Sequence, residues 1–112
     1  MIMPYGLTDT EWRKLLGVFA GNRRIRQAIL YGSRAKGTYK PFSDVDITLV
    51  GDDLSRRDLN RLLLAVDDLL LPYRFDLSIF HSLKNEALVE HIRRRGVIIY
   101  ENIHNAPSKE AL

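Results

Sequence analysis

The chain has 112 residues, 46% of them hydrophobic and 28% charged, which is enough for one packed core but not for a catalytic module with a separate substrate domain. A formal net charge of +3 comes with no cysteine, which excludes a disulfide framework and a thiolate metal site and points to a reducing compartment. No apolar run approaches the ~20 residues of a membrane span, and Met1 to Leu7 lacks a basic-then-apolar signal pattern, so a cytoplasmic protein is expected.

The positive charge does not read as a nucleic-acid footprint. The arginines fall in three short groups: Arg23, Arg24 and Arg26; Arg56, Arg57 and Arg61; and Arg93 to Arg95. Each group lies beside a predicted helix end, and none is interleaved with aromatic residues, so direct nucleic-acid binding is not expected. Arg93 to Arg95 fall in a last helical turn, where cations favour the macrodipole.

In chain order, Thr8 and Glu11 form a capping-box pair. Trp12, Leu15, Leu16 and Phe19 follow on one helix face, and Gly21 supplies the stop. The apolar run Ile25 to Tyr31 predicts a strand ending at Gly32-Ser33. Residues 33 to 36 can form one helical turn closed by Gly37, aiming free backbone N–H groups at an anion. Thr38 to Ser43 is a loop marked by Pro41.

Asp44 to Val50 alternates, with Val45, Ile47 and Leu49 on one face and Asp44, Asp46, Thr48 and Val50 on the other. Both carboxylates then leave the same side of the strand, roughly 7 Å apart at Cα, and repel unless a cation sits between them. Taken alone, Asp-x-Asp also fits a solvated strand face. Ser55 with Asp58 opens a second long helix, with Leu59, Leu62, Leu63, Val66, Leu69 and Leu70 as its apolar stripe and Pro72 as its end.

Tyr73 to Phe80 predicts the third strand, with Asp76 facing away from Phe75, Leu77 and Ile79. An aspartate inside an apolar strand needs a partner: an arginine such as Arg74, or a metal shared with Asp44 and Asp46. Ser82 is placed to cap a third helix that runs to about Arg95 and ends at Gly96, and Val97 to Tyr100 predicts a fourth strand. The tail from Asn102 reads as frayed, and His81, His91 and His104 show no metal-ligand spacing. The whole is expected to be a single α+β domain over residues 1–112, with a small mixed sheet of about four strands and helices packed on one face. In it, Gly32-Ser33 would hold phosphates, and Asp44, Asp46 and Asp76 would hold one or two Mg²⁺ ions, an arrangement suited to in-line transfer from a nucleoside triphosphate.

The stretch Gly32-Ser33-Arg34-Ala35-Lys36-Gly37, followed by Ser43-Asp44-Val45-Asp46, resembles the signature of the minimal nucleotidyltransferases, the short branch of the DNA polymerase β superfamily. The likeness spans roughly residues 5 to 101 and includes Phe75-Asp76-Leu77 and the closing Arg95-Gly96-Val97-Ile98-Ile99-Tyr100-Glu101. It implies a polymerase β-like nucleotidyltransferase fold, with Gly32, Ser33 and Arg34 as nucleotide-binding residues. It implies Asp44, Asp46 and Asp76 as catalytic metal ligands, with Mg²⁺ as cofactor and ATP as substrate. The choice of ATP rests on the resemblance alone, because no residue reads the base.

The resemblance also implies an all-helical partner protein. In one subgroup this is a HEPN-type toxin, and the nucleotidyltransferase is an antitoxin that transfers AMP to a toxin tyrosine. In another it is a substrate-binding subunit, with a small molecule as acceptor. An antitoxin acting by binding alone is a third reading. The length agrees with a two-protein arrangement, since a domain of this size that binds nucleotide and metal has little left to build an acceptor site.

Overall fold

A computed structural model describes residues 4–102 of the chain; His104 and the tail beyond lie outside the described residues. Asn102 itself is tied back, its amide donating to the Arg26 carbonyl at 2.9 Å. Among the described residues no helix is long and apolar enough to cross a membrane.

The first helix, α1 (Asp9–Ala20), begins at the expected capping box: the Glu11 amide donates to Thr8 Oγ1 at 3.1 Å and the Thr8 amide to Glu11 Oε1 at 2.9 Å. Leu15 and Phe19 carry its apolar face into the core. The chain continues through β1 (Gln27–Tyr31), the single turn α2 (Ser33–Lys36) and β2 (Val45–Val50). Then come α3 (Arg56–Asp67), β3 (Phe75–Ile79), α4 (Glu86–Arg95) and β4 (Val97–Glu101). The strands lie in the order β3-β2-β1-β4. β1 is antiparallel to both β2 and β4, whereas β2 and β3 run parallel, with α3 as the crossover that a parallel pair requires.

Alternation decides what each face of the sheet carries. Ala28, Leu30, Val45, Ile47, Leu49, Leu77 and Ile79 join Leu15 and Phe19 of α1 and Leu62 and Val66 of α3 in one buried cluster. Asp46, Thr48, Asp76 and Ser78 point the other way. Ile92 of α4 is buried outside that cluster, and Gly96, which ends α4, lies against Ile29 Cγ2.

Several sequence expectations shift at element ends. Ile25 and Tyr73 precede their strands rather than begin them, although Ile25 is wholly buried. The cap of α4 is Asn85, whose Oδ1 accepts from the Leu88 amide at 3.1 Å. Ser82 instead closes a separate short turn, Phe80–Ser82, in which the Leu83 amide is already spent on the Phe80 carbonyl. The helix opened by Ser55 and Asp58 ends at Asp67, well before Pro72, and the chain then turns at Leu70 with φ of 56°. Leu70, expected in the buried stripe, is therefore exposed; Leu63, within the helix, is exposed too, and only Leu62 and Val66 of that stripe are buried.

Candidate active site

β2 and β3 bring two of the sequence-predicted acids face to face. Asp46 and Asp76 are register partners on these parallel strands, which run about 4.8 Å apart. Asp44 lies one residue ahead of β2 and is exposed, as is Asp76, while Asp46 is half-buried. One rung further along, Ser78 donates its hydroxyl to Thr48 Oγ1 at 2.9 Å, which locks the register that aligns the acids. On the other side of β2, Asp46 pairs with Tyr31, so a phenol and two carboxylates form a row across three strands. Tyr31 was not singled out from the sequence, where it reads as the last apolar residue of a strand; only the antiparallel register reveals its neighbour.

The Gly-Ser turn abuts this row. Gly32 adopts φ of 79° and ψ of −156°, and a Cβ there would run into Asp46 Oδ2. Glycine is needed on both counts: for the backbone conformation and for the room that the carboxylate occupies. Gly37, with φ of 83°, closes α2 as expected. The amides of the first helical turn after Gly32 have no acceptor within the helix, so the turn and the acids share one end of the sheet.

The electrostatics mark a site that lacks compensating charge. Burial, then Asp76, then Asp44 raise the Asp46 pKa above the usual carboxylate value. Burial also raises Tyr31, helped by Asp76 and Asp46 and opposed by a hydrogen bond with Ser78. Among the described residues no arginine or lysine lies within ion-pair distance of Asp44, Asp46 or Asp76, so the arginine partner considered for Asp76 does not form. The three carboxylates are not drawn together into a closed metal cage either. Three hard anionic oxygens without a cationic partner are the donor chemistry that suits Mg²⁺.

A model of the family described as polymerase beta, nucleotidyltransferase matches residues 13–105. The chain belongs to that nucleotidyltransferase family. Among curated proteins none matches it. Among solved structures, a chain of a toxin-antitoxin crystal structure with AMP-PNP superposes with a TM-score of 0.66 at 22% identity, covering 88% of this chain and 77% of that one. A chain of the toxin-antitoxin MntA-HepT gives 0.62 at 17% identity, over 88% and 76%. A rebuilt and re-refined structure of the tri-AMPylated Shewanella oneidensis HEPN toxin in complex with MNT antitoxin gives 0.61 at 16% identity, over 86% and 74%. At these identities the likeness is one of fold, and it matches the polymerase β-like architecture expected from the sequence.

In this nucleotidyltransferase Arg34 departs from its expected place at the nucleotide. The residue is 1% exposed, and its guanidinium donates to the carbonyls of Tyr5, Pro41 and Ser43. Donors already committed to backbone oxygens in the interior are not presented to a phosphate. Ser33, at the start of α2, stays half-buried beside Gly32.

Proposed function

We propose that this nucleotidyltransferase transfers AMP from ATP to a hydroxyl on a second protein, and that it serves as the antitoxin to a HEPN-type toxin whose tyrosine is the acceptor. The observation that carries the reading is Asp46, which packs directly against Gly32 and faces Asp76 on the next strand. In this reading it would join a phosphate-binding turn to metal-ligand oxygens at one end of one sheet.

In this reading Gly32 and Ser33 bind the triphosphate through backbone amides and the serine hydroxyl. Asp44, Asp46 and Asp76 hold Mg²⁺. When bound, the ions neutralise the triphosphate and lower the pKa of the acceptor hydroxyl. The chain's own acids orient the two substrates, and the Thr48–Ser78 hydrogen bond keeps the acid rung in line.

A macromolecular acceptor is supported by the shape of the site. Asp44 and Asp76 are exposed, and the neighbouring loop presents Phe42 at 93% exposure, so the acids sit on an open shelf rather than in an enclosed small-molecule pocket. The superposed toxin-antitoxin complexes, one of them with an AMPylated HEPN toxin, support the same acceptor class.

The test is incubation with labelled ATP, Mg²⁺ and a HEPN-type toxin encoded beside this chain. Label is expected on a toxin tyrosine, and is expected to be lost in Asp44→Asn and Asp46→Asn with the fold intact. Neutralisation of the toxin by those same variants would instead establish occlusion as the mechanism. Label on a small molecule held by a helical subunit would establish the two-component transferase.

A further inference from the structure

We infer that Arg34 is a positioning residue, one buried guanidinium that ties together the three segments carrying the phosphate turn and the acids. Its own backbone belongs to α2, directly after Gly32-Ser33. Its Nε and Nη2 donate to the Ser43 carbonyl at 3.1 Å and 2.9 Å, and that carbonyl belongs to the peptide unit entering Asp44. Its plane lies between two rings, 5.1 Å from the centroid of Tyr39 and 5.0 Å from that of Tyr73, the latter two residues ahead of β3 and three ahead of Asp76.

The surroundings are built to receive it. Nη1 donates at 2.8 Å to the carbonyl of Tyr5, a non-glycine residue held at φ of 56°. Such a conformation costs of order 1–3 kcal/mol and persists only where neighbouring contacts over-determine it. Gly6, with φ of 88°, follows, and a Cβ there would meet Arg34 Nη1 and the Tyr39 ring. The Tyr73 hydroxyl donates to Glu11 Oε1 at 2.7 Å, anchoring the second ring to α1. The loop gripped by the guanidinium is itself a tight turn: the Ser43 amide donates to the Lys40 carbonyl at 2.9 Å, and the Lys40 amide to Ser43 Oγ at 2.8 Å.

Stability alone does not explain a buried cation here. Among the described residues no carboxylate lies within ion-pair distance of Arg34, so its charge is met only by carbonyls and aromatic faces. An apolar residue would fill the same volume without that desolvation cost. What an apolar residue cannot do is hold three carbonyls with one planar fork while stacking two rings on its faces, and that plane fixes how Asp44 departs from the loop relative to Gly32 and to β3.

Arg34→Lys tests this by keeping the charge while losing the fork and the plane. Amide hydrogen exchange on the protein alone is expected to show the Lys40, Ser43 and Val45 amides exchanging at least ~10-fold faster, with those of Leu30 and Ile47 unchanged. A second arm rests on the proposed transfer reaction: kcat for labelling the toxin is expected to fall roughly 10²-fold, with the KM for ATP moving by less than about 3-fold. Unchanged exchange at Lys40 and Ser43 overturns the inference. So does a raised KM with kcat retained, which would make Arg34 a substrate ligand. If the wild type transfers nothing, the proposed function fails and the exchange arm still decides the role of Arg34. Should Arg34→Lys not fold, Tyr39→Leu removes one ring face without touching the carbonyl bonds. It is expected to loosen the same amides, and no change there overturns the inference.

Discussion

Asp46 and Asp76 face each other directly across β2 and β3, and among the described residues no arginine or lysine lies within ion-pair distance of either. Like charges directly opposed on a sheet destabilise it by roughly 0.2–1 kcal/mol. Asp76→Asn is therefore expected to raise the melting temperature in EDTA while removing the rise that Mg²⁺ produces in the wild type. With Mg²⁺ bound as proposed, that rise would correspond to about 2.7 kcal/mol at ~100 times the dissociation constant. Differential scanning fluorimetry with and without Mg²⁺ and nucleotide measures both effects, and a wild type that ignores Mg²⁺ would count against the site.

Gly32→Ala probes the other wall of the site. Its φ of 79° and the Asp46 carboxylate in the way of a Cβ predict a loss of about 1–3 kcal/mol together with displacement of Asp46. Nucleotide binding, read by calorimetry at a temperature where the variant is folded, is expected to weaken more than that of a Gly37→Ala control, whose position has open space for a Cβ.

The Thr48–Ser78 hydroxyl bond is the register lock. Thr48 is fully buried, so Thr48→Val removes the acceptor of the Ser78 hydroxyl and is expected to cost about 0.5–1.5 kcal/mol in urea unfolding. Adding Ser78→Ala is expected to recover part of this, giving a coupling of roughly 0.5–1.5 kcal/mol in the double-mutant cycle.

Acid stability centres on Asp58, far from the site. Its pKa is lowered from 3.8 to about 2, with the Ser55 amide as the leading cause, assisted by Asn22, the Ser55 hydroxyl and Arg24 against an opposing burial penalty. The folded-state value lies below the unfolded one, so the stabilisation of about 2 kcal/mol is present above pH ~4 and lost as pH falls through ~2. Asp58→Asn is expected to lower stability at neutral pH and to flatten the acid limb of the stability curve.

Leu70 combines a left-handed φ of 56° with 88% exposure. Leu70→Gly relieves the steric strain at a position that packs nothing, and is expected to stabilise by about 1 kcal/mol. For a domain of this size that raises the melting temperature by about 4–8 °C.

What could be read from the chain beforehand is what local chemistry encodes. The Thr8/Glu11 and Ser55/Asp58 boxes are contacts three residues apart, and both form. Alternation placed Asp46 and Asp76 on polar strand faces, because period-two geometry needs no tertiary information. A shared metal was expected to bring the acids together, but their direct pairing on adjacent strands was not legible, since it depends on the parallel register created when α3 crosses over. The role of Arg34 was hidden for another reason: its acceptors are backbone carbonyls, which every residue carries, and Tyr5 lies 29 residues upstream. Ser82 misled because it is a good cap residue already spent on an adjacent turn, and Leu70 because a left-handed leucine leaves no local signal.

The thirty-residue separation of Asp46 and Asp76 also bears on the order of assembly. The nascent polypeptide cannot present both carboxylates to one ion until α3 has docked and the parallel ladder has closed, a contact of long sequence separation that forms late. Divalent cations are therefore expected to slow the unfolding limb of a chevron while leaving the refolding limb nearly unmoved. In the cell, metal would then act as a latch on the finished molecule rather than a template for making it.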